Sequence, residues 1–561
     1  MRRFPLAAPE VHIGCVRWLS TTPCEGAPGF GAIPLIHHAE SLPQAESDRS
    51  HSNRKAPSNH PMRISGVSEQ EPPEGFGARV RKALAWRWGS QLFAQLITWG
   101  STIMVVRLLD PSDYGLFAMS QVFVTALNFL NGWSFASSLI QADKIGRREI
   151  GQVFAVLLLT NTMLAAIQLV LAPVAADYYG QPAVADLLRV QALIFLTIPF
   201  TALPTALLSR RLEFRSQGIA NMASAIVGAV TALVLALLDY GVWALIFAPI
   251  AAFFVRGLMV TIAARLWVMP VFDLRGAGRM ISFGGVLTVC QFFWIIQSQS
   301  DIFIAGRVLS TYELGLYSEA LFLTLIVTGR FIPPLNDVAF PAYAELHKAG
   351  RSLAPYFERT VRSVLLVVSP IYIGLALTAP EAILVVFGEK WVAMAPYVSG
   401  LAIVMPLMAV QIICSPTVTA IGKERIYLAT NIAGAAIFAS AFLIGIRYGA
   451  PGLVKAWWFA APTLLLVTLA LILPRMKFGA GRFVATAVPS TIGCAIMAAS
   501  VLGLRSMLPS DLHAAAVLAI LAISGAAVYA ATLFVLWPQI VKDSLRMLRS
   551  PRAAVAPNPL P

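Results

Sequence analysis

The chain has 561 residues, of which 57% are hydrophobic and only 12% carry a charged side chain. Ordinary soluble domains contain about 25% charged residues, so this composition excludes a soluble globular domain and indicates a protein with many membrane-spanning helices. We attribute the net charge of +14 to topology and to anionic lipid head groups rather than to nucleic acid. The five cysteines have neither the spacing of a disulfide framework nor that of a metal site.

The first 75 residues differ from the rest of the chain. They are rich in Pro, Ser, His and charge, and they contain no apolar run long enough for a span or a signal peptide. We expect this stretch, 1–75, to be a disordered extension, and Met62 is an alternative start. Only two of the seven histidines, His347 and His513, lie beyond it, which argues against a histidine-based metal site or proton relay.

Apolar runs follow one another from Trp86 onward. Each is about 20 residues long, the length that crosses a hydrocarbon core of roughly 30 Å as a helix. Backbone polar groups in lipid must be satisfied within their own segment, so we interpret each run as a helix and its prolines as kinks. The runs cover 88–107, 115–140, 150–175, 184–208, 217–238, 242–264, 281–305, 315–342, 362–386, 394–421, 427–446, 450–473, 484–504 and 514–537. The predicted fold class is an all-α polytopic membrane protein with about 14 transmembrane helices.

Basic residues concentrate in alternate loops between these spans. The segments 79–87, 144–148, 210–215 and 348–362 are examples, whereas the loops between them carry few basic residues. Cytoplasmic loops are enriched in Lys and Arg, so this pattern predicts that the basic ends are cytoplasmic. Because the number of predicted spans is even, both termini are expected on that side.

One segment of the chain recurs 200 residues later. Residues 107–117 read RLLDPSDYGLF, and residues 307–317 read RVLSTYELGLY. Internal repeats are typical of transporters, in which the substrate path lies between the repeats near the bilayer midplane. The matching residues, which we predict to form gate loops at the periplasmic rim of such a path, are Arg107, Asp113, Gly115, Arg307, Glu313 and Gly315. A structural salt link between the arginine and the acidic residue of each motif is the alternative.

Further matches set the length of the repeat. Gly180 matches Gly388 and Gly241 matches Gly449, which indicates a unit of six spans. Since six is even, both copies enter the membrane from the same side, and their pseudo-symmetry axis should run along the membrane normal. We predict a first six-helix half at 80–270, a second at 275–475 facing it across a central cleft, two additional helices at 480–545, and a cytoplasmic tail at 546–561.

These motifs resemble a known family. The segment 107–117, the echo that ends Gly315-Leu-Tyr-Ser318 and the segment VAFPA at 338–342 resemble the oligosaccharide and polysaccharide flippases of the multidrug/oligosaccharidyl-lipid/polysaccharide exporter superfamily, in its O-antigen and exopolysaccharide branch. The resemblance covers residues 80 to 545. It implies that the chain moves undecaprenyl-diphosphate-linked oligosaccharide repeat units across a bacterial inner membrane by alternating access. The implied partners are the lipid-linked oligosaccharide, membrane lipids, and polysaccharide polymerase and chain-length proteins, with no cofactor.

A diphosphate with a glycan head is anionic, so a cleft that binds it should be cationic and polar. Charges inside spans are costly and usually face a water-filled path or a partner. Such charges are Arg256, Asp301, Glu319, Arg330 and Lys455. Arg330 is our preferred diphosphate contact, because it precedes a predicted proline kink and arginine suits bidentate phosphate binding; Arg256 and Lys455 are further candidates. The alternatives are an ion pair of Arg330 with Asp337, a partner or interface for Arg256, and snorkelling of Lys455.

Three amides are the predicted glycan contacts. Gln91 and Gln95 share one face of the first span, and Gln291 lies in the corresponding seventh span. Amides hydrogen-bond to sugar hydroxyls from a cleft wall, although they also join helices in membranes.

The motifs of enzymes are missing from the sequence. It contains no GxxxxGK[ST] phosphate-binding loop and no cluster with metal-ligand spacing. The loops predicted to lie outside are too short for the large periplasmic domain expected of a membrane-embedded polymerase. We therefore expect a transporter and no enzyme. Two alternatives stay open: a small-molecule or drug exporter of the same superfamily, and a non-transporting scaffold of a polysaccharide-assembly complex.

Overall fold

The computed structural model describes residues 76–131, 146–211, 213–265, 268–273, 278–421, 424–509 and 511–540. The expected extension at 1–75, with Met62, and the expected tail at 546–561 lie outside the described residues. The described part consists of helices joined by short connections, and it contains no β-strand.

The α-helices of the described part run in chain order as follows: α1 (Phe76–Leu108), α2 (Pro111–Asn128), α3 (Arg147–Tyr179), α4 (Pro182–Gln191), α5 (Leu193–Arg210), α6 (Phe214–Leu237), α7 (Val242–Ala264), α8 (Gly278–Val308), α9 (Thr311–Lys348), α10 (Ala354–Leu377), α11 (Ala379–Val386), α12 (Ala395–Ala420), α13 (Glu424–Gly445), α14 (Gly449–Ile472), α15 (Ala480–Met507) and α16 (Ala514–Leu536). Two short 3-10 helices, Glu389–Met394 and Ile446–Tyr448, precede α12 and α14.

The helices coincide with the predicted spans. Apart from the run at 115–140, which continues past the end of α2 into residues outside the described part, each apolar run falls on one helix or on two consecutive helices; the fourth run is divided between α4 and α5, and the ninth between α10 and α11. Ten stretches of the described chain are long and apolar enough to cross a membrane, and one of them, Arg425–Ile472, holds both α13 and α14. The all-α multi-pass membrane fold is thereby confirmed, while the count of fourteen spans stays a prediction.

Matching glycines have positive φ angles in the two halves. Gly180 and Gly388 have φ angles of 64° and 93°, and Gly241 and Gly449 have φ angles of 55° and 70°. A residue with a Cβ rarely adopts this left-handed backbone, so a glycine ends or begins a helix at each of these positions. Gly241 and Gly449, with ψ angles of −129° and −161°, form similar turns, whereas Gly180 and Gly388, with ψ angles of 26° and −179°, form different ones.

The two halves repeat the same packing of helices. Helix α6 packs against α1 and α7 in the first half, as α13 packs against α8 and α14 in the second. Helix α7 packs on α5 as α14 packs on α12, and the central helices α2 and α9 pack on each other. The boundaries proposed for the halves stay a prediction, but this repetition places α2 and α9 at the interface between them.

The two C-terminal helices are fixed to the second half alone. Helix α15 packs against α10, and α16 packs against α15. At one end of α15, Arg505 pairs with Glu381 of α11 at 2.6 Å, and at the other end Arg482 pairs with Glu358 of α10 at 2.7 Å. Ion pairs at both ends attach this helix along its length, so α15 should move together with α10 and α11.

Candidate functional site

The two copies of the repeated motif meet at one end of the bundle, which we call the motif end. The first turns of α2 and α9 cross there. A Cβ added to Gly115 would overlap the carbonyl of Thr311, and a Cβ added to Gly315 would overlap the carbonyl of Pro111. The glycine of each half therefore lies against the backbone of the first helical turn in the other half. Side chains at these positions would push the helices apart, which explains the glycine in both copies.

A tryptophan from the second half closes the same end. The indole N–H of Trp391 donates to the carbonyl of Val106 at 2.8 Å, and its ring meets Tyr114 edge-on with centroids 5.2 Å apart. Trp391 is fully buried, whereas the neighbouring ion pair of Lys390 with Asp110, at 2.9 Å, is exposed. The sequence analysis missed Trp391 and Lys390. Their only sequence signal is their position just after Gly388.

The motif arginines reach across to the opposite half. Arg107 donates from Nε to the carbonyl of Val386 at 2.9 Å and from Nη2 to that of Val385, at the C-terminal end of α11. Arg307 lies over the ring of Tyr178, at the C-terminal end of α3, with its guanidinium carbon 5.3 Å from the ring centroid. A cation is favourable at a helix C-terminus, where carbonyl groups lack partners. Both arginines thus connect the two halves at the motif end.

The acidic residues of the motif cap helices. Asp113 accepts a hydrogen bond from the backbone N–H of Val242 at 2.9 Å, at the start of α7. Glu313 accepts from the backbone N–H and the hydroxyl of Ser310 at 3.3 and 3.1 Å. Within the described part of the chain, no ion pair joins the arginine of either motif to its acidic residue. The alternative salt link is therefore not formed, because both kinds of residue have other partners.

Away from the motif end, the face of α9 that meets α2 becomes exposed. At about 100° per residue, Glu319, Phe322, Arg330 and Asp337 lie within about 60° of Gly315 around the helix axis. Phe322 is 52% exposed, and Arg330 and Asp337 are also exposed. We call these residues the cleft face of α9. Since Phe322, Arg330 and Asp337 are exposed, open space lies beside this face of α9 beyond the crossing.

The predicted cationic residues lie on three different helices. Arg330 lies on the cleft face, and among the described residues it forms no ion pair, either with Asp337 or with another carboxylate. Arg256 is half-buried in α7, and its Nε lacks a hydrogen-bond partner in the described ranges. Lys455 is exposed on the face of α14 that carries Phe459, which is 78% exposed. An apolar face of this kind suits contact with lipid, and the roles of Arg330, Arg256 and Lys455 as diphosphate contacts stay predictions.

The predicted glycan contacts lie on the first helix of each half. Ser90 and Ser101 mark the face of α1 that meets α6, since Ser90 abuts Gly218 and Ser101 donates to the carbonyl of Ala229. Gln91 and Gln95 are half-buried and lie about 100° to 140° away from that face. Gln291 is half-buried in α8, 200 residues after Gln91. Their role as glycan contacts stays a prediction.

One side of the cleft is lined by aromatic contacts. Phe129, which follows α2, meets Trp294 of α8 at 4.9 Å, and Phe123 meets Phe303 at 6.3 Å. Phe303 also stacks on Tyr178 at 4.5 Å, so the row continues to the motif end. We call this row the aromatic seam. It joins α2 to α8 from the motif end to the far end of α2.

A hydrogen-bonded chain is buried in the second half. The indole N–H of Trp457 donates to the hydroxyl of Tyr317 at 2.9 Å, and this hydroxyl donates to Asp301 at 3.0 Å. Asp301 is 1% exposed and also accepts from the backbone N–H of Ile302 at 2.8 Å. Of the side chains in this hydrogen-bonded chain, the sequence analysis identified only Asp301. No group of three or more His, Cys, Asp or Glu residues in the described ranges is placed to hold a metal ion.

The chain is similar to known proteins of polysaccharide biosynthesis. A family model described as polysaccharide biosynthesis protein matches residues 104–396. The chain is 28% identical to the succinoglycan biosynthesis transport protein ExoT of Rhizobium meliloti (strain 1021) over 54% of this chain and 61% of that protein. It is 26% identical to the teichuronic acid biosynthesis protein TuaB of Bacillus subtilis (strain 168) over 48% and 56%, and 22% identical to the lipopolysaccharide biosynthesis protein WzxC of Escherichia coli (strain K12) over 64% and 74%. The matched region thus spans less than two thirds of the first two relatives.

Two solved structures are similar in fold. The lipid II flippase MurJ in an inward closed conformation matches with a TM-score of 0.66 at 12% identity, over 81% of this chain and 98% of that one. An inward-facing multidrug resistance transporter of the MATE family matches with a TM-score of 0.52 at 14% identity, over 68% and 94%. At these identities the likeness shows the fold alone.

Proposed function

The chain belongs to the polysaccharide flippase family of the multidrug/oligosaccharidyl-lipid/polysaccharide exporter superfamily, and from this premise we propose that it translocates undecaprenyl-diphosphate-linked oligosaccharide repeat units across the bacterial inner membrane. The product would serve exopolysaccharide, capsule or O-antigen synthesis. The observation that carries this proposal is the guanidinium of Arg330 on the cleft face of α9, which forms no ion pair with any residue that the structure describes. The names of the relatives, which refer to succinoglycan, teichuronic acid and lipopolysaccharide, support a glycan as cargo.

The depth of Arg330 suits a diphosphate whose lipid tail remains in the membrane. Arg330 comes nineteen residues after Thr311, the first residue of α9. At 1.5 Å per residue it lies roughly 29 Å along the helix, close to the thickness of a hydrocarbon core. If the motif end lies at one membrane surface, Arg330 lies at the level of the opposite head groups. A guanidinium there can bind both phosphates while the polyprenyl chain stays in the adjacent leaflet.

The motif end would be periplasmic. The basic loops lie at the other end of the bundle, which the positive-inside rule assigns to the cytoplasm together with both termini. The crossing of α2 and α9 therefore forms a closed outer gate, and the cleft beyond it opens toward the cytoplasm. Transport then requires the first turns of α2 and α9 to separate, while the contacts of Arg107, Arg307 and Trp391 with the opposite half break.

The lipid tail would pass through the side of the cleft that lacks aromatic contacts. The positions that match Phe129, Trp294 and Phe303 in the other copy of the repeat are Gly329, Ala94 and Ile103. These smaller residues lie on α1 and α9, and within the described part α1 packs extensively on α6 alone. The side of the cleft between α1 and α9 is therefore open, in contrast to the side that the aromatic seam closes. A polyprenyl chain can occupy it while the head group lies in the cleft.

The experiment is deletion of the gene in its host, followed by measurement of surface polysaccharide and of lipid-linked repeat units. We expect polysaccharide to be lost and lipid-linked units to accumulate on the cytoplasmic side. Wild type and Arg330→Lys should restore polysaccharide, fully and in part respectively. Arg330→Ala should lower the transport rate about tenfold or more, because hydrogen bonds to a charged group contribute about 1.5–3 kcal/mol.

Arg351→Ala is the matched control, since Arg351 is exposed and lies beyond the end of α9. It should restore polysaccharide as well as wild type does. Each variant must be quantified in the membrane fraction. Unchanged polysaccharide and lipid-linked units in the deletion strain would contradict the glycan as cargo and favour a small-molecule exporter. Full rescue by Arg330→Ala would contradict the role of Arg330, and it would suit a scaffold.

A further inference from the structure

A pocket of about 410 Å³ lies at the motif end, beside the contact of Arg107 with α11. This volume is within the range of small-molecule sites, about 300–1,000 Å³. The pocket is lined by Arg107, Leu384, Val385, Gly388, Glu389, His513 and Ala514. These residues belong to α1 in the first half, to α11 and the segment after it in the second half, and to the start of α16. We call it the rim pocket, and it forms only while these three parts of the chain lie together.

The rim pocket holds two opposite charges that do not pair with each other. Among the residues that the structure describes, neither Arg107 nor Glu389 forms an ion pair. The neighbouring Lys390 is already paired with Asp110 at 2.9 Å. Arg107 donates to the end of α11 from Nε and Nη2, so its Nη1 is the nitrogen that can donate to a ligand. A ligand with one anionic and one cationic group would complement both side chains.

His513 adds a hydrogen-bond donor to the same pocket. Its Nδ1 accepts from the backbone N–H of Ala515 at 3.3 Å, at the start of α16. In a neutral imidazole with Nδ1 as the acceptor, Nε2 carries the proton and donates. Phosphate oxygens accept hydrogen bonds from guanidinium and imidazole N–H groups alike. A phosphate therefore suits Arg107 and His513, while an ammonium group suits the carboxylate of Glu389.

The surroundings of the rim pocket are those of a membrane surface. Arg107 lies in the last turn of α1, at the end of an apolar run of spanning length. The exposed side chains of Met104 and Leu108 lie within about 100° of Arg107 around the helix axis. The exposed Leu384 also lines the pocket. Acyl chains can cover these apolar side chains while a lipid head group occupies the pocket.

The lining residues favour a primary ammonium over a quaternary one. Quaternary ammonium groups are typically bound by cages of aromatic rings. No Phe, Tyr or Trp is among the residues described as lining the rim pocket, and its only acidic side chain there is Glu389. A primary ammonium donates N–H groups to a carboxylate, whereas a trimethylated one has none to donate. The head group that fits these residues is therefore phosphoethanolamine.

We propose that the rim pocket binds a phospholipid with an ethanolamine head group and that this lipid stabilises the closed gate. The phosphate contacts Arg107 and His513, and the ammonium contacts Glu389. Opening of the gate withdraws Arg107 from α11 and divides the pocket, so the lipid binds the closed state more tightly. A ligand shifts an equilibrium toward the state that it binds better. The periplasmic leaflet as the source of the lipid rests on the function proposed above, whereas the binding itself does not.

The first experiment measures binding of dioctanoyl phospholipids to the purified full chain in detergent. Phosphatidylethanolamine should bind about tenfold or more tightly than phosphatidylcholine, because trimethylation removes the N–H donors that face Glu389. Free O-phosphoethanolamine should bind about tenfold or more weakly than the ethanolamine lipid, because it lacks the acyl chains. Equal binding of the two lipids would overturn the proposal. Equal binding of O-phosphoethanolamine and the ethanolamine lipid would assign the pocket to a soluble phosphate ester and overturn it as well.

Variants of Glu389 connect this preference to the pocket. Glu389→Gln should bind the ethanolamine lipid about tenfold more weakly and lose its preference over the choline lipid, whereas Glu389→Asp should keep the preference. Asp177→Asn is the matched control, because Asp177 is an exposed carboxylate at the same end of the bundle and does not line the pocket. It should bind both lipids as wild type does. An unchanged preference in Glu389→Gln overturns the contact of Glu389 with the ammonium.

The second experiment measures opening of the gate in proteoliposomes. A thiol introduced by Phe322→Cys, in a chain whose native cysteines are replaced, is labelled with an impermeant maleimide from the motif side. Labelling should be several times slower in ethanolamine lipids than in choline lipids, and Glu389→Gln should remove the difference. Equal rates in both lipids, or the same difference in Glu389→Gln, would show that no lipid in the rim pocket holds the gate closed. Neither experiment uses a glycan, so these outcomes leave the proposed function standing.

Discussion

Replacement of Gly315 by alanine should weaken the closed gate at the motif end. The added Cβ would overlap the carbonyl of Pro111, and backbone atoms cannot rotate away as a flexible side chain can. The helices must separate, at a cost of about 1–3 kcal/mol for an overpacked contact. This strain is relieved when α2 and α9 part, so the closed state alone is destabilised. Since each 1.4 kcal/mol is a factor of ten, the open population should rise by about 5- to 150-fold.

The assay is labelling of a cysteine in the cleft. Phe322→Cys places a thiol on the cleft face of α9, in a chain whose native cysteines are replaced, and an impermeant maleimide is added from the motif side. Gly315→Ala should raise the labelling rate by the factor above. Gly329→Ala is the matched control, because it lies on the same helix and nothing is within 4 Å of its added Cβ. Equal labelling rates in the two glycine variants would refute the reasoning.

Three further predictions concern the contacts around the gate. Trp391→Phe leaves the buried carbonyl of Val106 without its hydrogen-bond donor, so stability should fall by about 1–3 kcal/mol. The measurement is the Tm in detergent, which should be lower than in wild type. An unchanged Tm would show that the hydrogen bond contributes nothing to stability. Lys390→Ala removes an ion pair whose two side chains are 51% and 67% exposed. We expect stability to change by less than about 1 kcal/mol in the same Tm measurement. A larger loss of stability would contradict the surface character of the pair. Arg505→Ala detaches one end of α15 from α11, and limited proteolysis should cleave the connection after α15 sooner than in Arg447→Ala, an exposed arginine at the same end of the bundle; equal rates would argue against the attachment.

The sequence predicts the helices and the repeat well, because both depend on local composition. A helix in lipid satisfies its own backbone, so each apolar run specifies its structure without its neighbours. The matched glycines at Gly180 and Gly388 also have a local cause, since a left-handed backbone excludes most other residues. These features follow from the order of residues along the chain.

The partners across the gate depend on tertiary structure and do not follow from the sequence alone. Arg107 stands six residues before Asp113, which suggested a local salt link. The folded chain instead brings the end of α11 to the arginine and the start of α7 to the carboxylate. The distinction between Arg330 and Lys455 has the same origin. Both are cations in apolar helices, and which neighbours each one faces depends on the rotation of its helix in the folded bundle.

The crossing of Gly115 and Gly315 also limits which substitutions the two halves can accumulate during evolution. Each glycine is matched to a backbone contributed by the other copy of the repeat, so the two copies cannot drift independently at these positions. A chimera that joins the first half of this chain to the second half of a relative inherits a closed gate only if both backbones approach at the same residues. The two halves, as copies of one repeat, thus have to keep backbones that fit each other at this crossing.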